Sequence, residues 1–176
     1  MSREVPSLNL SPEEILSDIH DPVDYKIVNE ILTAFVNNGL TYKVRKEYQP
    51  RERIENPGYR IFCYIKKSKE ALIINTKGWH YDSVCLQIRV LNTNTFDKLN
   101  EYSETMRNSI LNARECNKCG EGCSRLSYVF NYNGINYDKC HMLCDVFSFR
   151  SLAGQDIPSV MDIIQREIDF GKPKRK

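Results

Sequence analysis

Apolar positions change their period along the chain, and each change marks an element. Ile27, Ile31 and Phe35 recur every four residues, with Val28, Leu32 and Val36 beside them. That spacing predicts a helix with a wide apolar stripe, starting at Asp21-Pro22-Val23-Asp24 and ending near Gly39. Upstream, Ser11-Pro12-Glu13-Glu14 predicts another helix start, with Ser11 as N-cap, Pro12 in the first turn and Glu14 closing a capping box. Tyr42-Lys43-Val44-Arg45 predicts a short strand, followed by a polar loop holding Pro50 and Pro57.

From Tyr59 the period becomes two. Ile61, Cys63 and Ile65 alternate with Arg60, Phe62, Tyr64 and Lys66, as in a half-buried strand. Lys67 to Glu70 read as a turn and Ala71 to Asn75 as the returning strand. Pairing Lys66 with Ala71 would set Ile65 against Leu72 and Cys63 against Ile74. Val84, Leu86, Ile88 and Val90 predict a third strand. An Asn-Thr-Asn-Thr run then opens one long helix carrying Phe96, Leu99, Met106 and Ile110. Near the end, Val146-Phe147-Ser148-Phe149 predicts a last strand. Asp156 is then read as the cap of a closing helix with Ile157, Val160, Met161, Ile164 and Ile168 on one face and Gln165, Arg166 and Glu167 on the other. The fold class is therefore α+β, a mainly antiparallel sheet with packed helices, plus a cysteine-bearing hairpin and a closing helix. No linker is visible. Residues 1–113 read as the α+β core, and 114–176 as a cysteine-rich segment packed on it as one unit.

The chemistry concentrates in that segment. Cys116-Asn117-Lys118-Cys119-Gly120-Glu121-Gly122-Cys123 is followed by Cys140-His141-Met142-Leu143-Cys144. Two residues between Cys116 and Cys119 let both sulfurs converge on one ion, and the second cluster about twenty residues on completes a tetrahedral set. Between them, Leu126 to Tyr132 reads as a strand, Asn133-Gly134 as a type I′ turn and Ile135 to Lys139 as the return. That register brings Ser127 opposite Cys140 and, extended, Cys123 opposite Cys144. Four of Cys116, Cys119, Cys123, Cys140 and Cys144 are the expected ligands of one Zn2+. Cys116, Cys119 and Cys140 are taken as three of them, and Cys123 or Cys144 as the fourth. Four thiolates close the coordination shell, so the metal is structural and not catalytic. A redox dithiol or a set of buried thiols are the competing readings.

Cys116-x2-Cys119, Gly134-x2-Tyr137-x2-Cys140, Phe147-x-Phe149 and Asp156-Ile157 together resemble the ending of certain small uncharacterised bacterial proteins with a zinc-ribbon-like cysteine module. The resemblance covers the last third of the chain. It implies a cysteine module and no activity.

Composition narrows the remainder. With 176 residues, 41% of them hydrophobic, the chain is long enough to bury a core. A net charge of +2 argues against a dedicated nucleic-acid or membrane surface without excluding a local patch. No stretch has the ~20 apolar residues of a membrane span, and no signal peptide is visible. The expected location is the cytoplasm, where seven cysteines read as ligands or thiols and not as disulfides. The basic tail after Gly171 reads as a solvated terminus. Tyr42 to Lys46 with Tyr48, Arg51 and Arg53 interleaves aromatics and bases, but Glu47, Glu52 and Glu55 make it a salt-bridged face.

The far face of the sheet would show Arg60, Phe62, Tyr64, Cys85, Gln87 and Arg89, with Trp79 and His80 nearby. Within that set Arg60, Tyr64, Cys85, Gln87 and Arg89 are candidates for a ligand groove. No catalytic constellation is found: His20, His80 and His141 lie in separate segments, and no phosphate-binding loop is present. The leading function is a zinc-stabilised binding or interaction module. The alternatives are a small-molecule-binding or enzymatic domain on the far sheet face, and a nucleic-acid-binding zinc module. A protein partner or small ligand is compatible with the first two.

Overall fold

The computed structural model describes residues 7–46, 58–66, 69–77, 83–116, 127–140 and 147–172, without the side chains of Lys66, Lys69 and Glu70. The loop of Pro50 and Pro57, Trp79, His80, Val146 and the end of the basic tail lie outside these residues.

Capping residues set the first two helices. Helix α1 (Pro12–Leu16) begins with a capping box: the Ser11 hydroxyl accepts from the Glu14 N–H at 3.3 Å, and the Ser11 N–H donates to the Glu14 carboxylate at 2.7 Å. Helix α2 (Pro22–Asn37) is capped by Asp21, which accepts from the Val23 and Asp24 N–H groups. Ile27, Val28, Ile31, Leu32 and Phe35 are buried as the stripe predicts, but Val36 falls outside it and is 52% exposed.

Strands β1 (Thr41–Lys46), β2 (Tyr59–Lys66), β3 (Lys69–Asn75) and β4 (Cys85–Ile88) form an antiparallel meander. Strand β7 (Ser148–Arg150) adds to its far side, giving the order β1-β2-β3-β4-β7. One register line, Val44–Ile61–Ile74–Leu86–Phe149, crosses all five strands on the buried face. The β2–β3 pairing differs from the sequence expectation by two residues: Cys63 faces Leu72 and Ile61 faces Ile74. The strands run on to Lys66 and from Lys69, with a register irregularity at Tyr64, in place of a four-residue turn. A shift of two keeps the same side chains inside, so alternation alone cannot detect it.

The single middle helix becomes two elements. Thr93–Glu101 is a 3-10 helix capped by Asn92, and α3 spans Glu104–Leu111. Tyr102 is extended, and the Ser103 hydroxyl accepts from the Met106 N–H to start α3 afresh. Phe96, Leu99, Met106 and Ile110 are nevertheless all buried. Strands β5 (Ser127–Tyr132) and β6 (Ile135–Cys140) form a separate hairpin.

Helix α4 (Ile157–Gly171) packs on β2 and α2 and buries Ile157, Val160, Ile163, Ile164 and Ile168. A Cβ at Gly171 would collide with the Ile65 side chain, so glycine is what lets the helix end against β2. Two sequence expectations change here. Asp156 makes no side-chain cap to α4; its Oδ2 accepts from the Ala153 N–H within a 3-10 turn, Gly154–Asp156. Glu167 lies in the interior and not on the polar face. The α+β class stands, and one hydrophobic cluster runs from Ile15 in α1 to Ile168 in α4.

Candidate functional site

The hairpin forms in the register its sequence predicts, with Tyr132 opposite Ile135 and Ser127 opposite Cys140. Asn133 and Gly134 have φ of +51° and +79°, the left-handed pair that a type I′ turn requires. One hairpin face is held by stacked rings. Phe130 stacks on Phe96 of the 3-10 helix at 4.3 Å between centroids, and Tyr137 stacks on Phe130 at 5.2 Å. The Lys139 ammonium lies 5.1 Å from the Tyr137 ring centroid, donates to the Ala113 carbonyl at 2.9 Å and pairs with Glu115. These partners account for a lysine that is 2% exposed.

Glu115 also docks its backbone beside β6. The Cys116 N–H donates to the Asp138 carbonyl at 2.8 Å, and the Cys140 N–H donates to the Arg114 carbonyl at 3.0 Å, flanking a bridge between Glu115 and Lys139. Glu115 and Lys139 share one face, so alternation puts Cys116 and Cys140 together on the other. Cys116 stands opposite Asp138 and so diagonal to Cys140, a Cα separation of about 7–8 Å that side chains can span. Cys116 is half-buried and Cys140 buried; neither is in a disulfide. Among the described residues no group of three or more metal-ligating side chains occurs. Cys119, Cys123, Cys144 and His141 lie outside them.

The far face of the five-stranded sheet carries two further register lines. The first is Arg45–Arg60–Asn75–Cys85–Arg150, and the second is Lys43–Phe62–Ile73–Gln87–Ser148. The hydrophobic cluster that holds the helices includes none of Phe62, Tyr64 and Ile73. Among the predicted groove residues, Arg60, Tyr64, Cys85 and Gln87 belong to this face, with Cys85 buried between Asn75 and Arg150. Arg89 lies past the end of β4, exposed, and its positive charge acts on the buried Tyr128 phenol. Burial pushes that phenol's pKa up, Glu167 adds to the rise, and Arg89 opposes it.

Lys43 and Arg45, read from sequence as part of a salt-bridged segment, lie on this face; Glu47, Glu52 and Glu55 of that segment lie outside the described residues. Among the described residues neither Lys43 nor Arg45 forms an ion pair. Both lie over rings: Lys43 is 5.6 Å from the Tyr64 centroid, and Arg45 and Arg60 are 5.2 and 5.3 Å from that of Phe62. Sequence reasoning missed Asn75, Ser148 and Arg150. The alternation around Val44 was the available signal for Lys43 and Arg45, but that of the last two needed the position of β7.

Comparison of the chain with protein families, curated proteins and solved structures finds no match. No helix among the described residues is long and apolar enough to cross a membrane.

Proposed function

We propose that the chain is a cytoplasmic binding protein whose hairpin region is organised by one structural zinc ion. The supporting observation is the corner formed by Cys116, Cys140 and Ser127, residues from three chain segments brought side by side by backbone pairing. Each remaining candidate is close to it in sequence: Cys119 follows Cys116 by three residues, Cys123 precedes Ser127 by four, and Cys144 follows Cys140 by four. Cys116, Cys119 and Cys140, with Cys123 or Cys144 as the fourth, would make up a closed tetrahedral thiolate set. Such a site offers no open position for water, so its contribution is to stability. Structural zinc contributes on the order of 10–16 kcal/mol in small peptides, against a whole-domain stability of about 5–15 kcal/mol.

Protein purified under reducing conditions is expected to carry about one zinc per chain by elemental analysis. Cys140→Ser should lose the metal and lower the melting temperature. Cys63→Ser should retain it, because Cys63 is fully buried on β2 with its thiol pKa pushed up by desolvation. Folded protein without metal, or equal metal loss in both variants, refutes the centre.

A further inference from the structure

The far face of the sheet has a composition that a merely solvated surface does not need. Two of its rows hold Lys43, Arg45, Arg60 and Arg150 and contain no carboxylate; the next row, Thr41–Tyr64–Glu70, contains one. Two guanidinium groups lie over the same ring, Phe62, and an ammonium over Tyr64. Lys43 and Arg150 are exposed on this face, and Arg45 and Arg60 half-buried.

Phosphodiester chains match that charge and those rings. Phosphate oxygens accept from guanidinium and ammonium groups. Rings and guanidinium planes provide stacking surfaces for unpaired bases. Five strands set about 4.8 Å apart span roughly 19 Å, enough for the two or three bases that an RNA-binding sheet stacks. A duplex presents its bases already stacked and would use only the charge.

We infer that this face binds single-stranded nucleic acid, with Lys43, Arg45 and Arg60 on phosphates and Phe62 and Tyr64 beneath bases. The assignment rests on the chain being a binding protein, as proposed above, but not on its metal.

Fluorescence anisotropy with mixed-sequence RNA and DNA strands of roughly 12 nucleotides, and with the matching duplex, tests it. Single strands should bind at low salt and more tightly than the duplex, with a log–log salt slope of about −2 for three phosphate contacts. Phe62→Ala should weaken binding about 5- to 100-fold. Lys43→Gln, at an exposed position that leaves the core intact, should reduce the slope by about 0.7. No binding at low salt, equal affinity for duplex, or parental binding by both variants overturns the assignment. So does binding that survives both variants and disappears in Cys140→Ser, which would place it on the hairpin. Zinc content measured on the same samples separates the two proposals: metal without oligonucleotide binding removes only the sheet-face site, and binding without metal removes only the zinc centre.

Discussion

Glu167 is a charged residue placed where charge is costly, and its partners explain why it is there. It is 1% exposed, and its carboxylate accepts from the Leu91 N–H at 2.8 Å and the Asn92 N–H at 3.1 Å, two donors left over where β4 ends. Asp24 does the same for the Val84 N–H just before β4 begins, at 2.8 Å. Burial raises both pKa values above the ordinary carboxylate range, and the accepted hydrogen bonds only partly oppose the rise. The folded form therefore holds protons that the unfolded form has already lost. Stability should fall as pH rises from the ordinary carboxylate pKa to the raised native one, and be greater below that window. Glu167→Gln, which keeps an acceptor and removes the charge, should flatten this slope in urea unfolding followed across pH. Glu167→Ala strands two partly buried N–H groups and should cost about 2–4 kcal/mol. A pH slope unchanged in Glu167→Gln would show that Glu167 does not carry it. Nothing local in the sequence marks this residue as internal, because its partners lie 75 and 76 positions away.

At the scale of elements, the legible parts were those whose determinants are contiguous. The hairpin register follows from Asn133-Gly134 alone, since only one turn geometry suits that pair between two strands. The capping box of α1 is likewise contained in four residues. The β2–β3 offset and the break at Ser103 were not legible: the first leaves the inside–outside pattern unchanged, and the second depends on Ser103 meeting α4, where its N–H donates to the Ser159 hydroxyl at 2.8 Å. The turn is also where the proposed metal centre is most open to perturbation without touching a cysteine. Gly134→Val forces a β-branched residue into φ near +79° and should destabilise the hairpin by about 1–2 kcal/mol. Zinc release to a chelator should then become faster, and release at the parental rate would uncouple the turn from the centre.

In the whole molecule, the candidate sites depend on long-range placement in different degrees. The cysteine corner was half legible, because the hairpin predicts the Ser127–Cys140 pairing but not the docking of residues 114–116 beside β6. The cationic sheet face was assembled from β1, β2, β3, β4 and β7, and no short window of sequence contains it. The same topology makes the core indivisible by length. Phe147, Phe149, Val160, Ile163, Ile164 and Ile168 belong to the cluster that also buries α2 and the meander. A chain ending at Ala113 should therefore lose cooperative thermal unfolding, as read by circular dichroism, and a sharp transition like that of the full chain would contradict it. Position β7 last in sequence, beside β4, and a timing rule emerges. The strand that closes the sheet and the helix that packs on it are synthesised after the meander, so Ile61, Ile74 and Leu86 lack those partners until both have emerged. Chaperone holding of the nascent chain should thus end only when α4 emerges.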